Sequence, residues 1–163
     1  MGVAHKRVQW MKITISGHEI TFRKALPDDI DKIKSLVDKH KTELGFIIRP
    51  ALINSIKTDE LIVAVGSVDD IVGLAHYRHR KDGQTTLYNI VVRSDYRRHA
   101  IGSTLVECLK DEAHSRGQHF ILLKCPATLS ANEFYKALNF ELDTIEDGKK
   151  RTLNIWNLPL SEA

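Results

Sequence analysis

A strand, a cationic loop and a helix start follow one another between residues 90 and 105, and together they suggest an anion site. Ile90, Val91 and Val92 read as a buried strand, Arg93 to Ala100 as a basic, turn-forming loop, and Ile101-Gly102-Ser103 as the opening of a helix. The first turn of a helix leaves backbone N–H groups without intrahelical acceptors, and the summed peptide dipole places roughly half a positive charge there. Phosphate is the natural guest of such a place. Arg97 and Arg98 add formal charge, and Gly102 lets a ligand approach the backbone with no Cβ in the way.

Two better-known phosphate loops are absent. The chain has no G-x-x-x-x-G-K-[ST], and no G-x-G-x-x-G following a strand with an acid about 20 residues on. What it does have is Arg97-Arg98-His99-Ala100-Ile101-Gly102, which resembles the acetyl-coenzyme A loop of the GNAT N-acetyltransferase superfamily, Gln/Arg-x-x-Gly-x-Gly/Ala. A second block, Ser130-Ala131-Asn132-Glu133-Phe134-Tyr135-Lys136-Ala137-Leu138-Asn139-Phe140, resembles the A-x-x-F-Y-x-x-x-G-F segment of the same superfamily. Two positions depart from the pattern. Ala100 and Asn139 stand where the family has glycine. If position 100 requires positive φ, alanine there costs on the order of 1 kcal/mol and adds a methyl beside the diphosphate, weakening cofactor affinity. Asparagine tolerates the left-handed conformation, so Asn139 reads as a helix stop.

The resemblance implies an α/β fold of the α+β, GNAT-like kind: a mixed, mostly antiparallel central sheet with a β-α-β crossover and about four helices. It implies acetyl-CoA as co-substrate and an acetyl group passed to a primary amine by direct attack in a ternary complex. The cofactor would be held by the backbone of Ile90, Val91 and Val92, by Arg97, Arg98, His99, Ala100, Ile101, Gly102 and Ser103, and by Asn132. Tyr135 would supply a proton to the departing thiolate; by spacing alone, a tyrosine on a short helix would simply pack.

No acid stands in Leu87–Val92 or Phe120–Cys125, where the family often carries a glutamate base, and His76, His79 and Glu133 are the remaining candidates. The base is left unassigned. Cys125 before Pro126 raises an acyl-cysteine intermediate, for which no thiolate-forming partner is evident in the sequence. The acceptor pocket is expected from the Lys41–Arg49 loop, Tyr88, Asn89 and the final hairpin with Glu146. The acceptor itself stays open between small polyamines or antibiotics, a protein N-terminus or lysine, and a nucleobase. The alternatives are a non-catalytic acyl-CoA binder, which the missing base favours, and a nucleic-acid-associated module, which the charge balance disfavours.

Stepping outward from these residues, the pattern predicts the elements that hold them. Pro27 with Asp28 and Asp29 opens a helix over 27–40, with Ile30, Ile33, Leu36 and Val37 on one face. Arg49-Pro50 opens a second. Glu19–Lys24, Leu61–Val65, Ile71–His79 and Thr85–Arg93 read as strands, with Asp82-Gly83 in a hairpin turn. Ile101 to about Arg116 is an amphipathic helix ended by Gly117, Phe120–Cys125 a central strand parallel to the one before the helix, and Ser130–Leu138 a helix capped by Ser130 with Glu133 in a capping box. Phe140–Ile145 and Thr152–Asn157 form a closing hairpin.

With 163 residues, residues 19–163 suit one domain, and residues 1–18 an extension or added strand. The charge of +3, from 24 basic and 21 acidic residues, is far from that of a nucleic-acid arm. Two cysteines, one on a predicted helix and one on a predicted strand, argue against a disulfide framework. No apolar run is long enough to span a membrane and no signal-peptide core is recognised, so a cytoplasmic location is expected. The eight histidines form no ligand cluster and no metal site is expected. Homodimerisation is left open.

Overall fold

The computed structural model describes residues 9–97 and 100–160. Among the described residues, β1 (Gln9–Ile15), β2 (His18–Lys24), α1 (Ile30–Lys39), α2 (Lys41–Leu44), α3 (Arg49–Lys57), β3 (Leu61–Val65), β4 (Ile71–His79) and β5 (Gln84–Val92) come first. They are followed by α4 (Ile101–Ser115), β6 (Phe120–Pro126), α5 (Ala131–Ala137), β7 (Glu141–Asp147) and β8 (Thr152–Pro159). The strands form one mixed sheet in the order β1-β2-β3-β4-β5-β6-β8-β7. As expected it is mostly antiparallel, with the β5–β6 ladder parallel across the α4 crossover. By compactness the chain divides into two units: one comprises the residues up to Tyr77 with Asn89–Leu109, the other Arg78–Tyr88 with Lys110 onward.

In the first unit, α1 buries Ile33, Leu36 and Val37, and α3 buries Leu52 and Ile56, in one cluster with Leu61, Val63 and Val65 of β3 and Leu74 and Val91 of β4 and β5. This is the apolar face anticipated for α1, with Ile30 packed at its margin. The helix start matches its signals: Pro27–Asp29 is a 3-10 turn leading into Ile30. Asp29 has a further task there. Its carboxylate accepts the Leu26 N–H at 2.7 Å and binds Arg23 at 2.7 Å, both side chains being buried or nearly so. Burial alone would raise the Asp29 pKa, but the hydrogen bonds from Arg23 and Leu26 outweigh it and hold the carboxyl below its ordinary range.

The N-terminal segment supplies an added strand, β1, antiparallel to β2; Met1 to Val8 lie outside the described residues. Gly73 in β4 is where the unit is tightest. A Cβ built there would stand 3.1 Å from the Val91 carbonyl oxygen and 3.2 Å from Ile101 Cγ2, so a larger residue would push β4 a few tenths of an ångström from β5 and the start of α4.

In the second unit, the Asp82-Gly83 turn behaves as its residues require. Asp82 Oδ1 accepts the Gln84 N–H at 3.0 Å, and Gly83 has φ 92° with the His119 ring filling the space of a missing side chain. The β5–β6 ladder comprises the pairs Gln84–Phe120, Thr85–Ile121 and Thr86–Leu122, and β5 continues to Val92 beyond the last of them. β8 lies between β6 and β7, pairing with β6 along its whole length. β7 ends the sheet order and is exposed at every residue, with Glu141, Asp143, Glu146 and Asp147 beside Leu142 and Ile145.

The predicted capping box on α5 is a misreading. Ser130 does occupy the cap, but its φ of −63° and ψ of −21° are already helical, and its hydroxyl makes no capping bond. A cap acts from extended backbone, which aims the side-chain oxygen back at the amides of the first turn, and Ser130 lacks that conformation. The helix stop holds: Asn139 has φ 71°, and the Phe140 N–H returns to the Tyr135 carbonyl at 3.1 Å.

Candidate active site

The loop expected to bind an anion lies in the first unit. After β5, Ser94–Tyr96 makes one 3-10 turn, and Arg97 resumes extended backbone. Arg97 is exposed and its Nε donates to the Val92 carbonyl at 3.1 Å, which ties the loop's basic residue to the end of the strand. Arg98 and His99 lie outside the described residues. Ala100 has φ 66°, so the position does require the left-handed conformation in which glycine is the unstrained residue.

The Ala100 carbonyl accepts three bonds, from the Thr104 N–H at 3.0 Å, the Thr104 hydroxyl at 2.7 Å and the Ser103 hydroxyl at 3.1 Å. Both hydroxyls of the first turn are thus turned onto a carbonyl, away from the amides of Ile101, Gly102 and Ser103. Those amides, in a helix opening at Ile101, have no intrahelical acceptor. On the strand, Val91 is buried while Ile90 and Val92 are half-buried.

A guanidinium that no motif singled out fastens this loop. The Arg93 N–H donates to the Val72 carbonyl at 2.8 Å. Its side chain reaches Asp95 through Nε at 2.8 Å and Nη2 at 3.2 Å, and Asp70 through Nη1 at 2.8 Å. It also lies 4.8 Å from the centroid of the Tyr96 ring. The hydrogen bonds that Arg93 donates to Asp95 and Asp70 push its pKa upward, and the bond to Asp95 lowers that of the carboxylate.

The tyrosine expected to donate a proton lies in the second unit. Tyr135 sits on α5, 8% exposed, with the rings of Phe134 and Phe140 edge-on at 5.4 and 5.6 Å. Burial, and secondarily the neighbouring Cys125, raise the phenol's pKa well above its ordinary value near 10. Burial likewise raises the Cys125 thiol against a smaller opposing effect of Arg151, so thiolate chemistry is disfavoured there.

Asn132 is hydrogen-bonded on all sides by its own unit. Its Nδ2 donates to the Pro126 and Leu129 carbonyls at 2.9 and 2.7 Å, and its Oδ1 accepts from Asn154 Nδ2 at 3.0 Å and Trp156 Nε1 at 2.9 Å. The amide pins α5 to β8, and nothing in the spacing of Asn154 or Trp156 announces it.

The base candidates are engaged elsewhere. His76 Nε2 meets the Ser55 hydroxyl at 2.7 Å, and His79 Nδ1 meets that of Thr85 at 2.8 Å. Burial lowers the His76 pKa in spite of Glu60. Glu133 is exposed. Two charged residues expected around the acceptor already have partners: Arg49 binds Asp31 at 2.7 Å, and Glu146 binds Lys124 at 3.2 Å. Among the described residues no group of three or more His, Cys, Asp or Glu could hold a metal ion, and no helix is long and apolar enough to cross a membrane.

A chain with a parallel crossover, a helix that opens on a basic loop and a buried tyrosine on a short following helix has the parts of an acyl-group transferase. The sequence pattern of the Acetyltransferase (GNAT) family matches residues 31–140. The chain belongs to that family.

Solved structures of similar fold agree. Ard1 from Thermoplasma volcanium has a TM-score of 0.77 at 15% identity, over 88% of this chain and 99% of that one. The ribosomal-protein-S18-alanine N-acetyltransferase from Escherichia coli gives 0.71 at 21% identity, over 88% and 96%. The structure of yncA from Salmonella typhimurium with its cofactor acetyl-CoA gives 0.73 at 16% identity, over 88% and 95%. Among curated proteins, none matches this sequence.

Proposed function

We propose that the chain is an acetyl-CoA-dependent N-acetyltransferase that passes an acetyl group to a primary amine by direct attack in a ternary complex. The observation that carries this reading is the loop before α4. Ala100 adopts positive φ at the position where the family pattern has glycine, and the first-turn hydroxyls fold onto the Ala100 carbonyl, leaving the amides of Ile101 to Ser103 for an anion. Arg97, with Arg98 and His99 beside it in sequence, brings positive charge to the same loop.

The short β5–β6 ladder also supports it. β5 runs on past its last residue pair with β6, and the stretch toward Ile90 and Val91 suits a ligand that carries amides of its own, because backbone inside a sheet needs partners. When bound, acetyl-CoA supplies an activated thioester. The residues Ile90, Val91, Val92, Arg97–Ser103 and Asn132 would hold it, Asn132 by fixing α5. As the amine nitrogen bonds to the acetyl carbon and the carbon–sulfur bond breaks, Tyr135 gives its hydroxyl proton to the sulfur, and the proton shed by the amine restores the phenol through solvent. An O–H donor placed in this way contributes about 10²- to 10⁴-fold.

The acceptor contacts would include the Lys41–Arg49 segment, which holds α2 and the connection to α3, where Phe46 is 81% and Ile48 62% exposed. The second reading, a non-catalytic acyl-CoA binder, draws on the lack of a carboxylate in Leu87–Val92 and Phe120–Cys125. One experiment separates the two: thiol release from acetyl-CoA with a panel of polyamines, aminoglycosides and peptides with free N-termini, for the wild type and Tyr135→Phe. Turnover on any acceptor, lowered in Tyr135→Phe with unchanged acetyl-CoA affinity, supports the enzyme. Tight acetyl-CoA binding with no turnover on any acceptor class supports the binder.

A further inference from the structure

We propose that Arg93 is a positioning residue for the cofactor diphosphate, acting as a clamp that joins Asp70, ahead of β4, to Asp95 in the loop that leads to α4. The inference rests on the reading of that loop as the acetyl-CoA site. Arg93 lies outside the six-residue motif, and its guanidinium is taken up by Asp95 and Asp70. Its grip is two-sided. Asp95 takes the side-on, bidentate form, the strongest geometry open to an arginine and a carboxylate, and Asp70 takes Nη1 from a position 23 residues earlier.

The main chain of Arg93 is tied to Val72, and its cationic plane lies near the Tyr96 ring, so four separate contacts fix the residue from which the loop departs. Behind the clamp is a groove of about 230 Å³ lined by Asp31, Lys32, Ser35, Lys39 and Asp70, with only Leu36 and Ile71 apolar. Arg93 is 27% exposed, Asp70 51% and Asp95 63%, and ion pairs at such exposure add little to global stability. What they do fix is the direction in which Arg97 and Ala100 leave the strand. Ordering a loop before its ligand arrives lowers the entropy lost on binding, and the benefit goes to the part of the ligand that the loop touches.

The test compares acetyl-CoA with S-acetylpantetheine, which keeps the thioester and lacks the diphosphate, on the wild type, Arg93→Ala, Arg93→Lys and Asp95→Asn. For acetyl-CoA, Kd and KM should rise on the order of tenfold in Arg93→Ala with kcat within about twofold, and less in Arg93→Lys. Asp95→Asn should behave like Arg93→Ala, and the Asp95→Asn, Arg93→Ala double variant should lose no more than either single change. KM for S-acetylpantetheine should stay at the wild-type value in every variant. Equal losses on both thioesters, or an unchanged Kd for acetyl-CoA in folded Arg93→Ala and Asp95→Asn, would overturn the clamp while leaving the proposed function intact. A wild type that binds no acetyl-CoA would overturn both.

Discussion

In the proposed reaction, burial would suit Tyr135 to giving up a proton only at the moment of bond breaking. A phenol among Phe134, Phe140 and Cys125 resists ionisation, so it keeps its hydrogen across the whole range in which an amine is nucleophilic. Tyr135→Phe is expected to lower kcat about 10²- to 10⁴-fold with KM for acetyl-CoA nearly unchanged. In the wild type, kcat should show no descending limb below about pH 10 from loss of this proton. The same raised pKa has a stability counterpart. Between the unfolded value near 10 and the higher folded one, the unfolded chain binds fewer protons, so stability falls as pH rises through that window, and Tyr135→Phe should remove this fall in alkaline melting curves.

The residue types of this site were legible because F-Y before a turn and R-x-x-x-x-G before a helix are local in sequence. The Arg93 clamp and the Asn132 network were not. Their partners stand 23 residues back in one case and 22 and 24 residues on in the other, with no period or motif to join them.

At the scale of elements, hydrophobic period and turn chemistry located nearly every strand and helix, since these signals depend on a few neighbouring side chains. The capping box failed because a cap depends on backbone angles, and the residues of α5 allow Ser130 to be helical itself. Gly73 was a visible signal left unread: a lone glycine in an apolar strand marks a close approach, here to Val91 and Ile101. Ala100 tests the loop directly. Its φ of 66° strains any residue with a Cβ, and Ala100→Gly is expected to relieve about 1 kcal/mol. The melting temperature should then rise by a few degrees, and calorimetry should show acetyl-CoA binding at least as tightly once the methyl beside the diphosphate is gone.

For the molecule as a whole, acid sensitivity follows from two buried groups with opposite charges. Asp29 has a depressed pKa, so its contribution is present above the unfolded value near 3.9 and is lost as pH falls through the folded one. His76 has a depressed pKa as well, and its neutral ring favours the fold above about pH 6.5, an advantage that shrinks as the pH drops below that value. Urea titrations should show stability declining in two stages from neutral pH downward, and Asp29→Asn should remove the lower one at a cost of about 3 kcal/mol near neutrality, because Arg23 is left without its partner. The outermost strand, β7, has a bearing on colloidal behaviour. Its carboxylates at 141, 143, 146 and 147 flank two bare aliphatic side chains on a border open to further pairing. Mutual repulsion among those charges would keep neighbouring chains from zipping together; replacing the four carboxylates by their amides should raise light scattering, and adding Ile145→Lys should suppress it.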